Sequence, residues 1–179
     1  TTLSLSASAG GSPAYNWSGP NSFASGLQNP FIGSITTSGN GTYSVTATAG
    51  GCTGPAGTVS VTVYQTPAAP MAGSNSPICA GQDLSLTAST VGSSTYNWSG
   101  PNSFASTLQN TGIISAALTD AGTYSVTATE NGCTGSAGTV NAIVNPPPAV
   151  PTAGSNSPVC SGQNLSLTAN STSPGATYS

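Results

Sequence analysis

The stretch Tyr96-Asn97-Trp98-Ser99-Gly100-Pro101-Asn102-Ser103-Phe104-Ala105-Ser106 also stands, without a single change, at Tyr15 to Ser25. The same offset of 81 residues relates Leu3-Ser4-Leu5 to Leu84-Ser85-Leu86 and to Leu165-Ser166-Leu167. It also relates Gly41-Thr42-Tyr43-Ser44-Val45-Thr46-Ala47-Thr48 to the run from Gly122 to Thr129. Between Thr2 and Gln65, about 40 of 64 positions are identical to those 81 residues further on, with no gap. A repeat this long, and this faithful, is one domain per copy.

Three copies are expected: residues 1–66, lacking an opening strand; residues 67–147, complete; and residues 148–179, which stop soon after a second strand. A chain that starts without methionine and stops within a copy reads as a window on a longer protein. The seams are Thr66-Pro67-Ala68-Ala69-Pro70 and Asn145-Pro146-Pro147-Pro148-Ala149-Val150-Pro151. Proline fixes φ and favours extended geometry, so the seams should act as short, semi-rigid spacers.

Inside a copy the apolar period is two. Leu84, Leu86 and Ala88 alternate with Ser85, Thr87 and Ser89; Tyr124, Val126 and Ala128 alternate with Ser and Thr. Val59, Val61 and Val63 do the same in the first copy. Such alternation gives a strand one dry face and one wet face. Short strands broken by Gly, Pro and Asn every eight to twelve residues point to an all-β sandwich.

The chain has 179 residues and contains no Lys, Arg or His; its three acidic residues set the net charge at −3. Phosphate neutralisation needs Lys or Arg, so nucleic acid is excluded as a partner. Docking to anionic lipid fails for the same reason, and no apolar run is long enough to insert directly into a membrane. The chain nevertheless carries the β-branched and aromatic residues that disordered segments lack. Ser, Thr, Asn and Gly supply the solvation that charges normally provide.

Asp120-Ala121-Gly122-Thr123-Tyr124-Ser125-Val126 resembles the Asp-x-Gly-x-Tyr-x-Cys run of immunoglobulin-like domains. Gly81-Gln82-Asp83-Leu84-Ser85-Leu86-Thr87-Ala88 resembles their strand B, and Trp98 falls where a buried strand C tryptophan belongs. The modules also look like the cysteine-bearing immunoglobulin-like repeats of giant secreted Bacteroidetes surface adhesins, including those of gliding motility. Ile78-Cys79-Ala80-Gly81, Tyr96-x-Trp98-x-Gly100-Pro101-Asn102-x-Phe104 and Asn131-Gly132-Cys133-Thr134 carry that likeness. It implies tandem immunoglobulin-like β-sandwich modules in a rod-like array, exported to the cell surface. It further implies a core formed by Trp17 and Tyr43 in one copy and by Trp98, Tyr124, Leu86 and Val126 in the next. Two departures stand out. Ala88 and Val126 occupy the positions of the usual inter-sheet disulfide, and the first copy has Gly39 where the second has Asp120.

The cysteines fall at repeat-related positions instead, Cys52 with Cys133 and Cys79 with Cys160. A complete module holds one pair, Cys79 and Cys133, expected to be a structural disulfide, with Cys52 and Cys160 bonded to partners outside the window. Closing a loop of that length would contribute about 4 kcal/mol in the chain-entropy model. A regular immunoglobulin topology, however, puts the two at opposite poles, too far for a bridge. Either the first strand takes an unusual route or the bond joins neighbouring modules.

No enzyme is expected. Asp83, Asp120 and Glu130 do not recur between copies, and with no His or Lys nothing activates a hydroxyl nucleophile. No cofactor or metal set is present in the residue types. Phe23 and Phe104, past the Gly-Pro turn, are candidates for an exposed contact surface. The leading expectation is a non-catalytic repeat stalk of a secreted adhesin. The alternatives are a self-assembling extracellular filament or surface layer, and a spacer or carbohydrate-binding appendage of a secreted hydrolase. Partners open to the stalk are neighbouring modules of the same chain, further copies meeting it laterally, surface glycans and abiotic surfaces.

Overall fold

A computed structural model describes residues 2–172; residues 173–179 of the expected third copy, and Thr1 of the first, lie outside the described residues. No α-helix occurs among the described residues, only strands and 3-10 turns. The protein is an all-β chain of immunoglobulin-like sandwich character. Two compact units are present, one built around the strands up to Ala68 and the other around the strands from Ala69 on.

The first unit contains β1 (Leu3–Ser4), β2 (Ala14–Gly19), β3 (Phe23–Ser25), β4 (Phe31–Ile32), β5 (Gly41–Ala49), β6 (Cys52–Thr53) and β7 (Gly57–Val61). β1 pairs antiparallel with β4, while β2, β3, β5, β6 and β7 form a five-stranded antiparallel sheet. Leu5, Trp17 and Tyr43 are buried between the two layers.

The second copy contains β8 (Ala72–Ser74), β9 (Ile78–Cys79), β10 (Leu84–Ala88), β11 (Thr95–Ser99), β12 (Ala105–Ser106), β13 (Thr111–Ile113), β14 (Gly122–Glu130), β15 (Cys133–Thr134), β16 (Gly138–Ala142) and β17 (Val144–Asn145). One layer runs β13-β10-β8, and the other joins β12, β11, β14, β15 and β16. β9 and β17 form a separate parallel pair. Alternation along β10, β11 and β14 drives Leu84, Leu86, Ala88, Tyr96, Trp98, Tyr124, Val126 and Ala128 into one core between the layers. Small Ala88 and fully buried Val126 fill the space of the absent inter-sheet bridge. Further along, β18 (Thr152–Ser155) and β19 (Leu167–Asn170) form an antiparallel hairpin.

The valine alternation does not hold throughout. Val59 is 44% exposed, although its register partner Tyr43 is buried. The equivalent Val140 packs against the second core, beside which β8 runs along β16. A dry face is expected at Val59 and a wet one is found.

Candidate functional site

The block shared by both copies builds one device twice. Tyr124 is fully buried, and its hydroxyl donates to the carbonyl of Asp120 at 2.7 Å; Tyr43 donates likewise to Gly39 at 3.0 Å. This is a tyrosine corner, and it forms whether or not an acid stands four residues upstream. A Cβ on Gly100 would lie 2.4 Å from the Tyr124 ring, and one on Gly19 would lie 2.4 Å from Tyr43. Glycine is there because the ring needs the space.

Pro101-Asn102-Ser103 then makes a tight turn, with Asn102 and Ser103 both at positive φ, as are Asn21 and Ser22. Asn102 Nδ2 donates to Asp120 Oδ1 at 2.7 Å and to Thr119 Oγ1 at 3.1 Å. Asp120 Oδ2 in turn accepts from the Ala117 amide at 2.8 Å. In the first copy Asn21 Nδ2 reaches Ser38 Oγ instead, at 3.0 Å. Burial, and secondarily the nearby Asp120 charge, push the Tyr124 phenol above its usual value. Charging a phenolate inside an apolar layer is costly, and a carboxylate beside it adds to the cost.

The aromatic contact surface expected at Phe23 and Phe104 is largely used up inside the modules. Phe104 stands edge-on to Tyr124 with centroids 5.4 Å apart, and Phe23 does the same to Tyr43 at 5.5 Å. Each ring is half-buried. Trp98 and Trp17 are sealed in the core and present no platform to a ligand. Trp98 Nε1 donates to the Gln109 carbonyl at 3.3 Å, whereas Trp17 Nε1 is buried without a partner.

The carboxylates hold backbone. Asp83 accepts from the Ser115 amide at 2.9 Å and Glu130 from the Ser93 amide at 3.3 Å. Among the described residues, no group of three or more His, Cys, Asp or Glu could hold a metal ion. Nor is any helix among them long and apolar enough to cross a membrane.

What the sequence reading missed is the outer face of the five-stranded sheet. Opposite the core, β14 presents Thr123, Ser125, Thr127 and Thr129, flanked by Asn97 and Ser99 on β11 and by Thr139 and Asn141 on β16. The first copy repeats this with Thr42, Ser44, Thr46 and Thr48 beside Asn16, Ser18, Thr58 and Ser60. The face is a field of hydroxyls and amides without ionised groups, interrupted by the methyl groups of Ala105 in the second copy and of Ala14 and Ala24 in the first. The signal was present in the polar half of each alternation, read there only as a wet surface.

The cysteines require a correction. No bridge joins any of them, and Cys79 cannot meet Cys133. Cys79 lies beside Asn145 in the parallel β9–β17 pair. Cys133 lies opposite Glu130, at the far end of β14 from Gly122, which is opposite Ala142. The eight residue steps from Gly122 to Glu130 span about 26 Å of strand. A disulfide needs Cα atoms within about 7 Å. The first strand takes no unusual route that would bring the two together.

Residues 67–146 match the family model described as an Ig-like domain, CHU_C associated. The internal identity extends that likeness to the first copy. No curated protein matches the chain. Among solved structures, extracellular domains 3–5 of Drosophila OTK match at a TM-score of 0.50 and 13% identity, over 80% of this chain and 56% of that one. Murine CEACAM1b matches at 0.44 and 15%, over 74% and 85% of the two chains. The amphioxus IgVJ-C2 molecule matches at 0.39 and 16%, over 79% and 96%. At these identities the likeness concerns the fold alone.

Proposed function

We propose that this chain is part of the non-catalytic repeat stalk of a secreted cell-surface adhesin. The observation that carries the reading is the repeated sheet face of hydroxyls and amides, kept in both copies although more than a third of aligned positions differ. Domains 1–66, 67–147 and 148–179 are then units of extension, each presenting the same uncharged surface, joined by proline seams. A face without ionised groups favours neutral, hydroxyl-rich partners such as surface glycans, through hydrogen bonds. Gliding motility is one role within this reading, and export to the surface is its premise.

Lateral self-assembly is supported by a separate observation: the sheet edges carry no Lys of the kind that blocks edge-to-edge pairing. Deleting the repeats from the full-length protein tests the adhesin reading. The account expects surface labelling to persist at the cell and attachment to glycan-coated surfaces to fall. Unchanged attachment, or a protein found only inside the cell, would remove it.

A further inference from the structure

In the complete module a strand near the start of the chain and the strand at its end run side by side in the same direction. β9 and β17 pair parallel, with Ile78 beside Val144 and Cys79 beside Asn145. The Ile78 amide donates to the Ile143 carbonyl at 3.1 Å, and the Ala80 amide donates to the Asn145 carbonyl at 2.8 Å. Ser76 closes the incoming end of the pair. Its hydroxyl donates to the Ile143 carbonyl at 3.3 Å and accepts from the Ile143 amide. Ile78 and Val144 belong to the buried core, so one wall of the pair is dry. Backbone groups parted against that wall lose their partners without gaining water, which makes piecemeal opening costly.

Direction decides how such a pair answers a pull. Tension on the module drags β9 back toward its N-terminal end and β17 forward toward its C-terminal end. In a parallel pair these pulls oppose each other along one axis, so every bond between the strands is strained at once. In an antiparallel pair of end strands the same pulls would leave from one edge and part the bonds one by one. β8 is bonded to β10, outside this pair, so its release leaves β9 and β17 joined. Strands β10 to β16 lie in the chain between the two halves of the pair. While the pair holds, they are shielded from the load.

We propose that the β9–β17 pair is a shear clamp, the element that sets how much tension the module withstands before it unfolds. At the barrier the pair has parted, while the core around Trp98, Tyr124 and Val126 is still formed. Bearing tension is the purpose that the stalk reading gives a module, and in that respect the inference rests on it. The strand geometry stands by itself.

In the experiment the full-length protein is held by its two ends under constant load, and the unfolding rate of this module is read from its extension steps. A glycine-serine insert at the exposed Thr107 lengthens this module's step and so identifies it, since surface loops tolerate added length. Forced unfolding follows the unfolding rate, and deleting an interaction already lost at the barrier raises that rate. Ser76→Ala should therefore speed unfolding under load about fivefold, the net contribution of one hydrogen bond. Ala80→Pro, which deletes the amide bonded to Asn145, should speed it at least as much. Val126→Ala lowers equilibrium stability but should leave the rate under load unchanged, because its contacts are intact at the barrier. Unchanged rates in both clamp variants would overturn the proposal, and so would a Val126→Ala variant that unfolds as fast as Ser76→Ala. Attachment to glycan-coated surfaces is a separate readout, so failure of the clamp and failure of the adhesin reading are told apart.

Discussion

The two copies carry the same core residues, yet bury them to different depths. Trp17 and Tyr43 are as sealed as Trp98 and Tyr124, at 2% and 1% exposed against 0% for both. Around them the copies diverge. Leu84, Ala88, Tyr96, Val126 and Ala128 are buried, while their identical counterparts Leu3, Ala7, Tyr15, Val45 and Ala47 are only half-buried. In the second copy β8 runs beside β10 and β16, and β9 beside β17. The core thus has two tiers. An inner one of tryptophan and corner tyrosine is made by the shared block itself. An outer one is completed by the strands that precede β10.

A substitution that strikes the inner tier should hit both copies alike. Gly100→Ala and Gly19→Ala each drive a methyl into a tyrosine ring that has no room. Each should cost about 1–3 kcal/mol, the usual range for overpacking. Denaturant unfolding of the two variants checks this, and a loss confined to one copy would break the equivalence of the inner tiers.

A substitution in the outer tier should separate them. Val126 is fully buried and Val45 only partly so. Val126→Ala should therefore cost about 1.5 kcal/mol, two methylene equivalents, and Val45→Ala visibly less. Equal losses, read by the same unfolding curves, would show that the difference in burial does not set the cost.

The smallest effect is a titration. With no Lys, Arg or His in the chain, no basic side chain titrates at alkaline pH. The Tyr124 phenol is raised by burial and then by Asp120, so the folded state holds that proton more tightly than the unfolded one. Its contribution is complete below the unfolded value near 10 and is lost as pH rises through the folded value. Melting temperature measured from pH 8 to 12 should fall above about 10, and Tyr124→Phe should flatten that fall. An unchanged profile in the variant would place the alkaline loss elsewhere.

Much of this was legible in the sequence because it is local. The period of two set the faces of β10 and β14, and the immunoglobulin-like motifs pointed to Trp98 and Tyr124 as core. Val59 misled because its alternation is right but its cover is a strand from elsewhere. The cysteine pair misled because recurrence says that residues belong together in a scheme, not that they lie close. Only the parallel register of Cys79 with Asn145 shows which end of the module each occupies. Phe104 read as exposed because nothing in its spacing reports the edge-on contact with Tyr124.

The reading of the surface rests on the absence of fixed positive charge, and ionic strength tests it most directly. Debye screening acts only on interactions between charges. Attachment of the full-length protein to glycan-coated surfaces is to be measured from low to high ionic strength. The account predicts a flat response, since the proposed attachment runs through hydrogen bonds between uncharged groups. A steep loss of binding with salt would contradict it.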